Sequence, residues 1–249
     1  MSDVLTISVD AHVATVMLNR PDKHNAIDLD MFSALGEAGE ELKANRSVRA
    51  VVLAGAGDNF CSGIDTSVFE QSGGAIDPSM MAPVAPSPAN VFQRAAYVWR
   101  ELNSPVICAI NGVAFGGGLQ IALGADLRFA SPGSRFSIME IKWGLIPDLA
   151  ISTTLRDIVP LDKVKELAWS GRIVDAREAL ELGLVTAIHD DPLGAAAEMA
   201  QAIAGRSPDA IRGIKTLCNR AWRLSDAQAL ALEAEIQSAI LRSPNQAEA

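Results

Sequence analysis

The stretch that decides the fold is PVICAINGVAFGGGLQIALGAD, residues 105–126. Residues 106–110 form a short apolar run that predicts a buried strand, and residues 119–123 are apolar at helical spacing. The glycines at 116–118 therefore stand where a strand gives way to a helix. Glycines let another group approach the backbone closely, and the first amides of a helix have no internal partner. Such a turn can hold negative charge, although many glycine turns before helices bind nothing.

The segment RFSIMEIKWGLIPD, residues 135–148, places two carboxylates after this turn. Glu140 and Asp148 lie in a largely apolar segment that contains a tryptophan. A carboxylate close to a low-dielectric pocket is a candidate general acid or base. For Asp148 a second interpretation stays open, because Pro147-Asp148 before an apolar segment is also typical of a helix N-cap.

Length and charge narrow the class of protein. A chain of 249 residues is long enough for one large α/β domain with a helical extension. The formal net charge of -9, with no basic run to offset it, argues against a nucleic-acid partner. An anionic ligand would have to be held by a few local cations and by backbone donors.

The cysteines and the N-terminus indicate the compartment. The three cysteines are odd in number and lack the spacing of metal ligands, so we expect reduced thiols and no metal. The N-terminus shows no basic region followed by an apolar core, and no segment reaches the roughly 18 apolar residues of a membrane span. The sequence therefore predicts a cytoplasmic protein without a membrane partner.

The N-terminal part of the chain predicts a β-hairpin followed by a helix. Residues 4–9 and 12–18 alternate between apolar and polar positions on either side of a short turn. The polar sequence NRPDKHNA, residues 19–26, comes next and carries two or three positive groups. On composition alone it is equally a solvated loop. Asp28 or Asp30 could cap the helix that follows.

A second glycine-containing loop follows the next predicted strand, residues 48–54. Residues 55–65, GAGDNFCSGID, begin like a dinucleotide-binding turn. That interpretation fails because Phe60 stands where the third glycine is needed and no apolar helix begins there. A turn that presents the peptide N–H of Ile64 fits better.

The remaining chain alternates between strands and helices, which is typical of an α/β sheet. Residues 67–89 are rich in Gly, Ser, Pro and Met and predict a mobile surface loop, either a lid or a disordered segment. The further predicted strands are residues 127–130 and 136–141, and the predicted helices are residues 91–102, 149–159, 161–170, 176–182 and most of 192–239.

Four sequence blocks together resemble the crotonase, or enoyl-CoA hydratase/isomerase, superfamily. They occur in the order expected for that family: NRPDKHNA at 19–26, FCSGID at 60–65, NGVAFGGGLQ at 111–120 and MEIKWGLIPD at 139–148. The resemblance implies a crotonase-like ββα spiral core, here residues 1–190, and a helical C-terminal trimerisation region, residues 191–249. It also implies an acyl-CoA thioester substrate, no separate cofactor, and assembly as a homotrimer or a dimer of trimers.

The resemblance also assigns roles to individual residues. The backbone N–H groups of Ile64 and Gly117 would hold the thioester oxygen as negative charge develops on it. Preorganised donors of this kind are each worth about 3 kcal/mol in enzymes from which one has been removed. The nucleotide end of coenzyme A would be contacted by Arg20, Lys23, His24 and Ala26, and also by Lys215.

The chain departs from the hydratase pattern at one position. Hydratases of this family carry two glutamates, and Gln120 stands where the first is expected, whereas Glu140 occupies the second position. An amide cannot accept or deliver a proton near neutral pH and can only orient a water or the substrate. In dienoyl-CoA isomerases an aspartate stands at the position of Asp148 and exchanges protons together with the glutamate.

We therefore expect an enzyme that acts through an oxyanion-stabilised enolate, with Glu140 as the base. Gln120 favours double-bond isomerisation of an enoyl- or dienoyl-CoA over hydration. The alternatives are an enoyl-CoA hydratase that uses Glu140 alone and a non-catalytic protein that binds CoA thioesters. A thioester dehalogenase is less favoured, because that branch needs a histidine before the glycine turn and residues 67–110 contain none.

Overall fold

The strands of the protein form two sheets. The structure is a computed structural model that describes residues 3–68, 78–241 and 243–247; residues 69–77 of the predicted surface loop lie outside that part. The strands of the described chain are β1 (Leu5–Asp10), β2 (Val13–Leu18), β3 (Ala50–Gly55), β4 (Val106–Ile110), β5 (Val113–Phe115), β6 (Leu127–Ala130), β7 (Arg135–Ser137), β8 (Val174–Asp175) and β9 (Ala187–Ile188).

The larger sheet has the strand order β1-β2-β3-β4-β6-β9, and the smaller has the order β5-β7-β8. In the larger sheet only the β1–β2 hairpin is antiparallel, and all other pairs are parallel. In the smaller sheet β5 and β7 are parallel and β8 is antiparallel to β7. The predicted hairpin and α/β class are therefore confirmed. Parallel pairing requires crossovers, which the helices supply.

The α-helices of the described chain cover both faces of the larger sheet. They are α1 (Leu29–Ala44), α2 (Val91–Glu101), α3 (Gly117–Leu123), α4 (Ile151–Thr154), α5 (Leu161–Ser170), α6 (Ala176–Glu181), α7 (Pro192–Ala204), α8 (Pro208–Arg220), α9 (Asp226–Ile240) and α10 (Pro244–Ala247). Short 3-10 helices lie at Pro21–Lys23, Pro78–Met81, Glu140–Trp143 and Ala221–Arg223. No helix in this part of the chain is long and apolar enough to cross a bilayer.

The core on one face of the sheet is built around α1 and α2. Asp28 caps α1 by accepting a hydrogen bond from the Met31 amide at 2.9 Å, as one of the two predicted caps would. The Phe32 and Phe92 rings meet edge to face, with centroids 5.2 Å apart, a favourable aromatic geometry. This packing fixes the helix that leads into the glycine turn.

The opposite face is covered by α7, which lies beyond the predicted domain boundary at residue 190. Ala196, Ala200 and Ala204 recur at every fourth position, share one face of the helix, and are buried against the strands. Their small side chains let the helix approach the sheet closely. The core therefore extends past residue 190, and the predicted division of the chain stays a prediction.

Two predicted elements differ from the structure near the candidate acids. The predicted strand 136–141 ends at Ser137, and Glu140 instead begins a 3-10 helix. The predicted helix 149–159 is reduced to α4. Ala150 adopts a left-handed conformation with φ of 65°, so the helix begins only at Ile151, and residues 155–158 form a turn instead of continuing it. Ala150, not Asp148, occupies the N-cap position of α4, so the interpretation of Asp148 as a cap is wrong.

Candidate active site

The segment at residues 60–65 runs between the turn at 20–28 and β5, and this placement positions Ile64. On one side the amide of Ile27 donates to the Gly63 carbonyl at 2.8 Å, and the amide of Asp65 donates to the Ile27 carbonyl at 2.9 Å. In such a parallel bridge the N–H of the intervening residue points to the opposite side. The Ile64 amide therefore faces away from Ile27 and has no hydrogen-bond acceptor within the described chain.

The glycine turn brings Gly117 against the same segment. Gly116 has φ of 50° and ψ of -120°, a conformation that favours glycine, and Gly117 begins α3. As the first residue of a helix, Gly117 has an amide without an intrahelical partner. A Cβ at Gly117 would lie 3.6 Å from Ile64 Cγ1. Gly117 and Ile64, from separate parts of the sequence, are thus neighbours in the structure.

Both residues line one cavity of about 230 Å³. Its wall also contains Glu140 and the exposed side chains of Trp143 and Leu145. The cavity combines two candidate backbone donors with a carboxylate in an otherwise apolar lining. Such a site can polarise a carbonyl group and move a proton on a neighbouring carbon.

A second cavity of about 160 Å³ continues from the first. Ile64, Glu140 and Leu145 line both, so Glu140 lies at the junction. The second cavity is mainly apolar, and Asp148 is one of the residues that line it. The other lining residues are Phe32, Val68, Met81, Phe92, Ile146 and Leu149. The shape suits an extended apolar chain that passes Glu140 and reaches Asp148.

Gln120 holds Glu140 in place. Its Nε2 donates to Glu140 Oε1 at 2.6 Å, and its Oε1 accepts a hydrogen bond from the Leu149 amide at 2.8 Å. The Leu149 donor fixes which end of the amide faces the carboxylate, because a backbone N–H requires an acceptor. The other carboxylate oxygen, Oε2, is buried and has no hydrogen-bond partner within the described chain. One oxygen of Glu140 is therefore left without a protein partner within the described residues.

Burial shifts the protonation of both acids. Glu140 is only 8% exposed, and its burial raises the pKa of the carboxyl; the negative charge of Asp148 raises it further, against the lowering effect of the Gln120 hydrogen bond. Asp148 keeps contact with solvent, yet the surrounding apolar residues remove enough water to raise its pKa as well. Raised pKa values are typical of groups that exchange protons near neutral pH.

The turn at residues 20–28 borders the site without lining either cavity. Lys23 and His24 are exposed and Ala26 is half-buried, so their predicted contacts with a nucleotide stay predictions. His24 Nδ1 lies 3.0 Å from Asn59 Nδ2. Arg20 instead faces carboxylates: its Nη2 is 3.2 Å from Asp28 Oδ2 and 3.1 Å from Asp65 Oδ2.

The structure corrects the prediction for Lys215. This lysine is 7% exposed, and its Nζ lies 2.7 Å from Asp126 Oδ2. It also donates to the carbonyls of Trp99 and Ser104 at 3.2 and 3.0 Å. All three donors of the ammonium group are therefore used inside the chain. The group joins α8 to the core and cannot reach a nucleotide in this arrangement.

Known proteins are similar to this chain in sequence and in fold. The family model described as enoyl-CoA hydratase/isomerase matches residues 8–248. The chain is 32% identical to the peroxisomal Delta(3,5)-Delta(2,4)-dienoyl-CoA isomerase of Arabidopsis thaliana, over 99% of this chain and 91% of that protein. It is also 32% identical to the carnitinyl-CoA dehydratase of Proteus mirabilis, over 90% of this chain and 84% of that protein.

A solved structure supports the same assignment. The enoyl-CoA hydratase of Mycobacterium smegmatis has a TM-score of 0.87 and 29% identity, covering 99% of this chain and 94% of that chain. The protein belongs to the enoyl-CoA hydratase/isomerase family and is an enzyme of that family. The predicted crotonase-like fold is confirmed, and the trimeric assembly stays a prediction.

Sequence reasoning missed the position of Gln120 relative to the acids. The notion that its amide orients a water or the substrate does not match its contacts, which go to Glu140 and to the Leu149 backbone. Neither cavity of the site is lined by Gln120. The signal was available in part, because a glutamine one turn into an apolar helix needs buried partners.

Proposed function

We propose that the enzyme isomerises double bonds in an unsaturated acyl-CoA thioester, with a conjugated 3,5-dienoyl chain as the substrate class. The observation that carries the proposal is the position of Glu140 at the junction of two cavities, one with the amides of Ile64 and Gly117 and the other with Asp148. A thioester carbonyl in the first cavity would place the unsaturated chain in the second. The isomerase of Arabidopsis thaliana provides further support.

The proposed reaction begins at the carbon next to the thioester. Glu140 removes a proton from that α-carbon, and the electron pair of the broken C–H bond delocalises onto the thioester oxygen. The amides of Ile64 and Gly117 stabilise the resulting negative charge. The uncompensated Oε2 of Glu140 suits this role, because it is the carboxylate oxygen that has no protein partner within the described residues.

The reaction ends when a proton returns to a more distant carbon. Asp148 delivers it, the double bonds shift toward the carbonyl, and the negative charge on the oxygen is lost. Partial removal of water by the neighbouring apolar residues raises the pKa of Asp148, a direction that suits a carboxyl group that delivers a proton. One proton has moved from substrate to Glu140 and one from Asp148 to product, and exchange with solvent restores both acids.

Gln120 supports isomerisation over hydration. A hydratase of the two-carboxylate type needs a second acid or base beside Glu140 to activate water. Here that neighbour is an amide that uses both of its ends on protein groups, so it can hold Glu140 but cannot move a proton.

We include the homotrimer or dimer of trimers in the proposal, since Trp222 and Leu230 leave apolar surface exposed near the C-terminus.

The test supplies 2-enoyl, 3-enoyl and 3,5-dienoyl-CoA compounds separately, with products followed by absorbance and mass spectrometry. We expect the 3,5-dienoyl compound to give a 2,4-dienoyl product of unchanged mass. Asp148→Asn should slow this reaction by about 100-fold or more, within the range of general acid catalysis, and should affect 3-enoyl isomerisation less. Hydration of the 2-enoyl compound that outpaces every isomerisation would contradict the proposal.

A further inference from the structure

The guanidinium group of Arg20 ties together two segments beside the candidate oxyanion site. Its Nη1 donates to the Ala26 carbonyl, and its Nη2 contacts both Asp28 and Asp65. The side chain is 18% exposed, and its partners lie on the turn before α1 and on the residue after Ile64. A planar guanidinium can bridge several acceptors at fixed angles, which a lysine cannot do.

We infer that Arg20 is a positioning residue for the Ile64 amide, rather than a contact of the CoA nucleotide. The inference rests on the proposed function, because it assumes that this amide holds the thioester oxygen. Arg20 would act through Asp65, which directly follows Ile64 and whose own amide is bonded to the Ile27 carbonyl. Fixing both the side chain and the amide of Asp65 restrains the peptide plane that follows Ile64, and this limits how far Ile64 can rotate and its own N–H can change direction.

The backbone before Ile64 contains a glycine. Gly63 has φ of 104°, a region that glycine enters and leaves freely, and its carbonyl is held by the Ile27 amide at 2.8 Å. Within the described residues, the other support of the Asp65 side chain comes from Ser67, whose amide donates to Oδ1 at 3.1 Å and whose hydroxyl also bonds the carboxylate. Asp28 is already fixed as the cap of α1. Arg20 therefore connects the N-cap residue of α1 to the residue that directly follows Ile64.

If Arg20 positions the Ile64 amide through Asp65, an Arg20→Gln variant should lose catalytic rate but keep its affinity for coenzyme A. A misdirected Ile64 amide should lower kcat by about tenfold to 100-fold, less than the loss expected when an oxyanion donor is removed altogether. The Kd for coenzyme A, measured by calorimetry, should change by less than about twofold. The absorbance of bound hexa-2,4-dienoyl-CoA should shift to the red in the wild type and less in the variant, because that shift reports carbonyl polarisation.

Matched variants make the test specific. Asp65→Asn should reproduce the loss of kcat, and the double variant should lose little more, since residues that act together are not additive. Arg20→Lys should restore part of the activity. Arg177→Gln removes an arginine that is 87% exposed in a surface ion pair and should match the wild type. Circular dichroism and the Tm establish that each variant is folded.

The outcomes separate this inference from the proposed function. A Kd for coenzyme A that rises tenfold in Arg20→Gln with kcat and the red shift unchanged would identify a nucleotide contact and overturn the inference alone. A folded variant with unchanged kcat and red shift would also overturn it. If hexa-2,4-dienoyl-CoA shows no red shift when it binds the wild type, the two amides do not form an oxyanion site, and the proposed function is wrong as well.

Discussion

At the scale of single residues, Glu140 combines reactivity with a cost in stability. Its carboxylate is buried, one oxygen accepts from Gln120, and the other has no partner within the described chain. A buried polar atom without a partner costs about 1–3 kcal/mol. An active-site base that must reach a substrate carbon cannot also be satisfied by the protein. The unpartnered oxygen and the raised pKa of Glu140 therefore both follow from the burial of a carboxylate that the protein satisfies only in part.

Glu140→Gln should abolish turnover and stabilise the fold by about 1 kcal/mol at neutral pH. The folded-state pKa of Glu140 lies above its ordinary value, so the native state binds this proton more tightly than the unfolded state. Stability accordingly falls as the pH rises from the ordinary pKa through the raised one. The glutamine side chain does not titrate, so its stability does not depend on pH in this way. The extra stability of Glu140→Gln over the wild type should therefore be present at pH values above the raised pKa and vanish below the ordinary pKa.

Urea unfolding of both proteins across the acidic and neutral range measures this effect. Glu181→Gln is the control, because Glu181 is 69% exposed in an ion pair with Arg177 and such pairs contribute little. A Glu140→Gln protein that is less stable than the wild type at neutral pH would show that the carboxylate is fully compensated in the native state.

At the scale of elements, the turn into α3 requires glycine at positions 116 and 118 for different reasons. Gly116 adopts a left-handed conformation, while Gly118 is needed for space: a Cβ there would lie 2.5 Å from the Cys61 carbonyl oxygen. That carbonyl also accepts from the Phe115 amide at 3.0 Å, so it cannot easily move. The close approach at Gly118 holds the segment 60–65 against the glycine turn.

Gly118→Ala should therefore destabilise the protein by about 3 kcal/mol, at the upper end of overpacking costs, and should lower kcat by separating the two amides. Gly133→Ala is the matched control, since a Cβ at Gly133 meets nothing within 4 Å and should change stability little. Denaturant unfolding and steady-state kinetics on both variants decide the matter. Equal stabilities for the two variants would mean that the turn can shift without cost.

The elements also show how far the sequence could predict the site. Buried strands and amphipathic helices follow from periodicity, and the glycine turn from composition, so the elements around Gly117 were predictable. The conformation at Glu140 was not, because the short apolar run 136–141 fits a strand and a 3-10 turn equally well. The left-handed Ala150 that shortens α4 was also hidden, since alanine gives no local signal for such a conformation.

At the scale of the whole molecule, contacts between distant residues were the least predictable. Lys215 lies on a helix whose sequence does not reveal that its partner Asp126 is 89 positions away. The pairing depends on how α8 docks beside the residues that precede β4 and β6, which is a tertiary property. Asp126 Oδ2 also accepts from the Val106 amide at 2.8 Å, so one carboxylate joins a strand, a turn and a C-terminal helix.

This arrangement makes Lys215 a major attachment of α8 to the core, and Lys215→Met should reveal it. Methionine keeps most of the volume but leaves Asp126 and two carbonyls without their donor. Loss of one partner of a buried pair costs about 3–5 kcal/mol, and the partial exposure of Asp126, 27%, reduces the expected cost to about 2 kcal/mol. Arg177→Met removes an exposed charge and should cost close to nothing.

Urea unfolding gives the two differences in stability, and hydrogen exchange shows where they act. Protection should fall first in α8 and in α9, because Gly213 of α8 packs tightly against Ile236 of α9 and the two helices should loosen together. The Kd for coenzyme A should stay within about twofold of the wild type, since the ammonium group is enclosed. A large loss of coenzyme A affinity with unchanged exchange in α8 would instead restore Lys215 as a nucleotide contact, in a conformation in which its present ion pair is broken.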